Sequence, residues 1–452
     1  MNRREFVSGL AAAGAVVAAS PRVLGATGAG SRPRMGMIGC GWYGGVSLES
    51  FFNYTEIDVV ALCDVNTKHL AKTRELVAKY QRGEPRSFGD YRVMLAEVPL
   101  DIVIVATPDH WHALPAIAAM RAGVDVFLEK PIGVDVLEGE ALVAAARKYG
   151  RVVQVNTQRR SLPMFAELRE KFIRSGRLGK IGLVEAYCYL GMGRSGVFPE
   201  EPPPAHLDYE MWAGPAPKRT YNVGLESRRW RRFQEYGNGV VGDMGVHMFD
   251  IARWMLGVGW PTKISSSGGV LVETASDATI TDTQNCVFEY PGLRVTWEHR
   301  TWGISPIPVR HWTDQWGVKF IGENGTLTTT TLGYLFEPAG DDEPEAFHML
   351  APDGNPAHIN LKASVEKVIG VAEKGHAQDF MRARQTRGRP VADIEEAHIS
   401  SSSCVLANIA QQLGRPVSYD PVSRTVPGDA EATALLARNY RGPWVHPTVE
   451  TG

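Results

Sequence analysis

Asp243 and His247 stand four residues apart, so on a helix they share one face, with carboxylate and imidazole in reach of each other or of a shared ligand. Asp250, one turn beyond His247, is placed to fix the tautomer of that ring. A capping aspartate and a core histidine would show the same spacing. Lys130 directly precedes Pro131, which holds the lysine backbone extended. A loop lysine of this kind is either a solvated charge or a group held at a site. A third set is Gly39-Cys40-Gly41-Trp42-Tyr43-Gly44, spaced G-x-G-x-x-G after an apolar run at 35–38. The first glycine permits a tight turn, the second lets backbone approach a pyrophosphate, and the third lets helix and strand pack closely. The helix that begins there offers free N–H groups and a positive dipole to phosphates. Asp64 ends the next apolar run, twenty residues past Gly44. It can accept hydrogen bonds from both hydroxyls of a ribose and would repel a 2′-phosphate, which favours NAD. Lys68 lies close enough to leave NADP open, and an Asp64 that only caps the next helix is the alternative. Trp42 and Tyr43 are bulky for such a loop and either cover the pyrophosphate or face outward.

These residues need a scaffold, and the chain supplies one. Apolar runs at 35–38, 57–63, 101–106, 124–128 and 152–155 alternate with helical patterns at 66–80, 112–122 and 135–149. That alternation predicts a parallel, doubly wound α/β sheet. Ligands in such sheets sit beyond the carboxyl ends of the strands. Thr107, Pro108 and His112 follow one run, and Glu129 and Lys130 follow the next, so all five are expected to face the cofactor. Beyond 156 the spacing predicts a helix at 164–175, a strand at 182–190 and a Pro- and aromatic-rich loop at 201–215. A glycine-rich run then opens a helix at 243–256. Strand-like segments at 262–272, 279–290, 293–302, 316–321 and 325–336, joined by turns, predict an open, mainly antiparallel sheet. A polar excursion at 337–358, helices at 376–387 and 393–413, and a tail of little periodicity complete the chain. The expected parts are a signal peptide at 1–26, a Rossmann domain at 33–156, a substrate-binding and oligomerisation α/β domain at 157–416, and a tail at 417–452.

The bulk properties narrow the class. With 452 residues the chain can hold two cores, and a net charge of −2 gives no reason to expect a nucleic-acid partner. Five scattered cysteines without a C-x-x-C pair suggest neither a disulfide framework nor a zinc site, and no metal is expected. Arg3-Arg4-Glu5-Phe6 before an uncharged, Ala- and Gly-rich stretch at 7–20 resembles a twin-arginine export signal, with cleavage expected near Gly25 and Ala26. The processed protein would then be periplasmic or otherwise exported, and free of the membrane. That route carries folded proteins, so a dinucleotide would travel already bound.

Gly39-Cys40-Gly41-x-x-Gly44, Thr107-Pro108-x-x-x-His112, Glu129-Lys130-Pro131 and Asp243-x-Gly245-x-His247-x-x-Asp250, in this order, resemble the glucose–fructose oxidoreductase/inositol dehydrogenase (Gfo/Idh/MocA) family over about residues 33–416. The segments 108–113 and 208–215 resemble its exported, twin-arginine-bearing subgroup. The resemblance implies a Rossmann domain followed by an α/β domain whose open sheet forms a homodimer or homotetramer. It places the catalytic lysine on Lys130 and the Asp–His pair on Asp243 and His247. His247 would take the hydroxyl proton of a secondary alcohol, Asp243 would orient it or contact a substrate hydroxyl, and Lys130 would stabilise charge on the reacting oxygen. Asp109, Trp111 and Trp230 suit a polyhydroxylated sugar. Arg228, Arg229, Arg231 and Arg232 read as a solvated basic face, or else as contacts to an acidic group on the substrate. The expected activity is oxidation of a sugar, polyol or glycoside with tightly held NAD. The alternatives are a redox-neutral lyase or glycosidase that uses the cofactor transiently, and a non-catalytic sugar-binding protein.

Overall fold

A computed structural model describes residues 32–190, 196–226, 228–307, 311–351, 353–358 and 365–452, without the side chains of 312 and 365–369. The expected signal peptide at 1–26 lies outside the described residues. Residues 33–452 form one compact unit.

The first half builds a sheet from β1 (Arg34–Ile38), β2 (Asp58–Cys63), β3 (Arg86–Phe88), β4 (Ile102–Val105), β5 (Asp125–Leu128) and β6 (Val153–Val155). All pairs are parallel, in the order β3-β2-β1-β4-β5-β6. The order reverses at β1 and β4, which leaves a crevice at their carboxyl ends. The intervening helices are α1 (Trp42–Tyr54), α2 (Thr67–Ala78), α3 (Tyr91–Glu97), α4 (Ala113–Arg121) and α5 (Val136–Lys148). Every residue of β4 is buried, as its unbroken apolar run requires in a sheet covered on both faces. Strand β3 was not anticipated; it is three residues long and two of them are exposed, so it carries no apolar run.

After β6 come α6 (Pro163–Leu168), β7 (Ile181–Cys188) and α7 (Val246–Leu256). They are followed by β8 (Lys263–Gly269), β9 (Thr283–Tyr290), β10 (Leu293–Arg300), β11 (Trp316–Gly322), β12 (Gly325–Thr330), β13 (Gly333–Pro338) and β14 (Glu345–His348). The second sheet runs β14-β13-β12-β11-β7-β10-β9-β8 and is antiparallel except where β7 and β10 pair in parallel. The segment expected as one strand at 325–336 is a hairpin, and β14 lies within the expected excursion. One face carries Phe288, Val295, Trp297 and Phe320 into the core, where Phe249 of α7 meets Phe288 at 4.2 Å between ring centroids. Along β10 the alternate residues Thr296 and Glu298 stay half-exposed, so the other face is open.

Two long helices tie the halves together, α8 (Val365–Thr386) and α9 (Ile394–Leu413). Ala377, Phe380 and Ala383 of α8 join the core around β1 and α1, and Phe380 packs edge-on against Phe51 and Phe127. The tail is ordered despite its lack of periodicity. The Arg438 amide donates to Asp135 Oδ2 (2.9 Å), His446 Nε2 lies 2.9 Å from the same oxygen, and the Tyr440 hydroxyl donates to Glu138. Asp135, Glu138 and His446 are the one such trio of carboxylates and imidazole among the described residues. These bonds make it the anchor of the tail. Among the described residues no helix is long and apolar enough to cross a membrane.

Candidate active site

A cavity of about 630 Å³ opens at the carboxyl ends of β1 and β4 and runs to the start of α7. Its floor is the glycine loop, and each glycine there has a distinct reason. Gly39 sits at φ +92°, where a Cβ would strike the Ala106 backbone at 2.5 Å. A Cβ on Gly44 would come within 2.4 Å of the Gly39 carbonyl oxygen and of Met37 Cε. On Gly41 it would meet nothing within 4 Å, although this residue caps the start of α1 and lines the cavity. Protein packing therefore explains the first and third glycines but not the second. The open space over Gly41, at a helix start with free N–H groups, fits a pyrophosphate. Thr107 Oγ1, buried in the same wall without a partner, is a further group that a ligand would satisfy. Asp64 lines the cavity at the end of β2, where Oδ2 accepts the Cys40 amide (2.7 Å) and Oδ1 the Asn66 amide (2.8 Å). Those bonds hold the carboxylate against the glycine loop.

The cofactor-side residues named above fall into place around this floor. Trp42, Tyr43, Pro108, His112, Glu129 and Lys130 all line the cavity, while Gly44 does not and packs against Gly39, Met37 and Ala106. Trp42 is 55% exposed, and the Arg228 guanidinium sits 3.4 Å from its ring centroid at the cavity mouth. The His112 ring bridges two segments, Nδ1 lying 2.5 Å from the Pro131 carbonyl oxygen and Nε2 2.9 Å from that of Thr107. His112 thus positions the backbone that carries Lys130. Glu129 accepts from Ser47 Oγ (2.9 Å) and Asn156 Nδ2 (2.8 Å), and burial raises its carboxyl above the usual range.

At the other end, Lys130 Nζ donates to Asp243 Oδ1 (2.6 Å) and to the Asp243 carbonyl oxygen (2.8 Å). Residues Val241–Gly245 form a widened helical turn before α7, a local irregularity common at functional sites. Arg231 Nε adds a second contact to Asp243 Oδ1 at 3.2 Å. Burial would raise the Asp243 carboxyl, but Lys130 and Arg231 outweigh it and hold it well below the ordinary range. His247 lies in the same wall, and its Nδ1 is buried without a partner. Burial first, then the charges of Arg159 and Lys130, push the imidazole well below its ordinary value, so the ring is neutral.

Two expected roles need correction. Asp250 does not fix the His247 ring. It takes both Arg160 Nε (2.7 Å) and Nη2 (2.6 Å), plus Ser400 Oγ (2.8 Å), in the core between α7 and α9. Asp243 does not orient the ring either, because its bonds go to Lys130 and Arg231. The arginine run is a solvated face only in part, since Arg228 and Arg229 are exposed but Arg231 is half-buried and Arg232 buried. Arg228, Arg229 and Arg231 line the cavity, while Arg232 is 1% exposed and paired with Asp277. Trp230 and Trp111 are buried in the cavity wall. The Trp111 indole N–H is taken by the Trp212 carbonyl (2.9 Å), and its ring rests on Trp444 of the tail (4.7 Å).

Residues 33–157 match the model of an oxidoreductase family with an NAD-binding Rossmann fold, and residues 184–281 match that family's C-terminal α/β domain. The chain belongs to the Gfo/Idh/MocA oxidoreductase family. A glycosyl hydrolase family 109 protein of Stenotrophomonas maltophilia is 38% identical over 142 residues, 30% of each chain. The rhizopine catabolism protein MocA of Rhizobium meliloti is 26% identical over 227 residues, 50% of this chain and 58% of that one. The matched regions thus span between about a third and three-fifths of these relatives. The crystal structure of myo-inositol 2-dehydrogenase from Lactobacillus plantarum shares the fold, with a TM-score of 0.61, 18% identity, and coverage of 86% of this chain and 100% of that one.

Within this Gfo/Idh/MocA chain Asp109 and Tyr43 take their expected places in the cavity, and Gln158, Arg159 and, behind Tyr43, Glu373 join them without having been anticipated. Asp109 is buried, and burial, offset by Arg231 and reinforced by Asp243, raises its carboxyl to about 7. Tyr43 donates to Glu373 Oε1 (3.0 Å) and accepts from Gln158 Nε2 (2.7 Å). Burial and the nearby Glu129 raise Glu373 to about 8, so it carries a proton at neutral pH. Arg159 is buried in the wall beside His247 and Thr331. The signal for Gln158 and Arg159 was available, since they follow β6 at its carboxyl end, as Thr107 follows β4.

Proposed function

We propose that this chain oxidises the secondary alcohol of a sugar, polyol or glycoside, with a nicotinamide dinucleotide held tightly in the cavity. The observation that carries the reading is the Lys130 ammonium, pinned by Asp243 at 2.6 Å and facing the same cavity as a neutral, unpartnered imidazole. Neutral His247 can accept the hydroxyl proton. Lys130 donates to the substrate oxygen as negative charge develops there, and Asp243 keeps the ammonium aimed. A bound nicotinamide supplies the hydride acceptor. Residues Gly39, Gly41, Trp42, Tyr43, Gly44, Thr107, Pro108, His112 and Glu129 form its cradle, and Trp111 and Trp230 wall the substrate end. Asp64 at the ribose position supports NAD over NADP.

The Arg3-Arg4 segment supports export by the twin-arginine route, and the open face of the second sheet suits pairing with further copies of the chain. Export away from the cytoplasmic cofactor pool favours a captive nucleotide that is regenerated within each turnover. A second reading follows from the glycosyl hydrolase family 109 resemblance: transient oxidation, loss of the glycosidic group, then re-reduction. Asp109, raised to about 7, would be a proton donor for a leaving group.

Denaturing the purified protein and identifying released nucleotide by mass spectrometry tests the captive cofactor, for which near-stoichiometric NAD is expected. Protein that emerges empty and binds NAD weakly would refute it. Lys130→Met with unchanged turnover would refute the catalytic assignment.

A further inference from the structure

Of the cavity-lining cations that no carboxylate pairs among the described residues, Arg159 alone is buried, since Arg228 and Arg229 are exposed. Lys130 and Arg231 share the Asp243 carboxylate, and Arg228, at the mouth, lies on Trp42. Arg159 is 8% exposed; its Nε donates to Thr331 Oγ1 at 3.3 Å, and its Nη1 is buried without a partner. Thr331 Oγ1 also takes the Trp316 indole N–H at 3.0 Å, so that hydroxyl is already shared. The acids whose charge reaches Arg159 are bonded elsewhere, Asp250 to Arg160 and Asp243 to Lys130 and Arg231, and burial outweighs their field. A buried, unpaired guanidinium is costly, and it persists where a ligand completes it. Its planar fork is matched to carboxylate geometry. The side chain lines the cavity and its charge reaches His247, as it also reaches Tyr43 of the glycine loop.

We infer that Arg159 is the recognition site for an anionic group on the substrate, so that the sugar or polyol is an acid of the uronate or aldonate class. This rests on the oxidoreductase reading for the presence of a sugar but not for the anion. Held there by its carboxylate, the substrate would lie with a neighbouring hydroxyl toward His247 and Lys130. The cofactor phosphates are the other possible source of negative charge, and the test must separate the two.

The nucleotide-bound protein is titrated calorimetrically with D-glucuronate, D-galacturonate and D-glycerate, each against its uncharged counterpart D-glucose, D-galactose or glycerol. At least one acid is expected to bind at least about tenfold more tightly than its counterpart, as one charge-assisted hydrogen bond to a buried group implies. Arg159→Gln should erase that preference while NAD occupancy, read by mass spectrometry, is unchanged; Arg159→Lys should retain part of it. The melting temperature of Arg159→Gln should stay level or rise, because the variant removes an uncompensated charge. Equal binding of acids and neutral compounds, or no binding of any acid, would overturn the inference. So would a preference that survives Arg159→Gln, or a loss of NAD in place of the preference. A drop in melting temperature would show the guanidinium to be structural. Absence of reduced nicotinamide with every compound, alongside an Arg159-dependent preference for acids, would instead refute the oxidoreductase reading and leave the anion site standing.

Discussion

Alanine at Gly41 and alanine at Gly44 should have opposite effects, although the two glycines belong to one motif. At Gly41 the backbone is extended, with φ −71° and ψ −170°, which alanine adopts freely, and the added methyl meets nothing within 4 Å. Loss of chain entropy in the unfolded state favours the variant, while the helix start slightly prefers glycine, so stability should change by no more than about 0.5 kcal/mol. The same methyl stands where, on the proposed reading, the pyrophosphate would approach. Forcing a methyl into a packed contact costs about 1–3 kcal/mol, or about 5–150-fold in Kd for NAD. At Gly44 the methyl would lie 2.4 Å from the Gly39 carbonyl oxygen, about 1 Å inside ordinary contact. Met37 can swing aside, but Gly39 is held by the hydrogen bond its N–H donates to the Cys63 carbonyl oxygen at 2.8 Å. Destabilisation of about 1–3 kcal/mol is expected, a melting shift of only about 1–3 °C in a unit this large. Nucleotide released per chain and Kd for added NAD measure one effect; chemical denaturation measures the other. If Gly41→Ala binds NAD as the parent does, the phosphates do not cross this turn and the cofactor assignment of the loop fails.

Lys130→Met and His247→Asn should each lower kcat by about 10²–10⁴-fold with the fold intact, a range set by the usual worth of a positioned acid or base; circular dichroism and steady-state rates check this. Asp243→Asn leaves Lys130 and Arg231 facing each other without their carboxylate, so both activity and about 3 kcal/mol of stability should be lost, read by denaturant titration. The tail anchor predicts a pH effect on stability. Burial opposes charge on His446, but its bond to Asp135 and the field of Glu138 outweigh this and raise the ring to about 9. A raised histidine contributes fully below its unfolded value near 6.5 and is lost as pH rises through about 9. Melting temperature should therefore fall across that window, and His446→Gln should flatten the fall.

What could be seen in the chain beforehand was local. The glycine spacing, the apolar runs and the residues at strand ends are set by neighbours a few positions away, and the cavity floor formed as those patterns required. The Lys130–Asp243 contact joins residues 113 apart, and spacing alone gave no reason to pair them. Helical periodicity put Asp250 on a face near His247 but said nothing of what packs there; Arg160 does, at 2.6 Å. Four arginines in five residues look solvated by composition, and Arg228 and Arg229 are exposed, yet Arg232 is buried and paired with Asp277. Strands β13 and β14 were hidden because a Thr-rich stretch lacks the alternation that marks a turn, and because β14 is short and flanked by polar residues.

The charges in the cavity bear on how the proposed base is tuned. His247 is held neutral by burial first and then by Arg159 and Lys130. A base depressed so far is always unprotonated but takes up a proton weakly, and proton transfer works best when the pKa lies near the working pH. An anion bound to Arg159 would cancel the second of these influences and let the imidazole rise toward that range only when substrate is in place. The sign follows directly. Arg159→Gln removes a positive charge beside His247, so the ring should titrate at a higher pH in the free enzyme. The acid limb of kcat/KM, which reports free-enzyme groups, should move upward in Arg159→Gln, whereas the corresponding limb of kcat should move less, since in the parent complex the anion has already neutralised that charge. If the two limbs shift equally, Arg159 is not paired by the substrate; if neither shifts, it does not act on His247 at all.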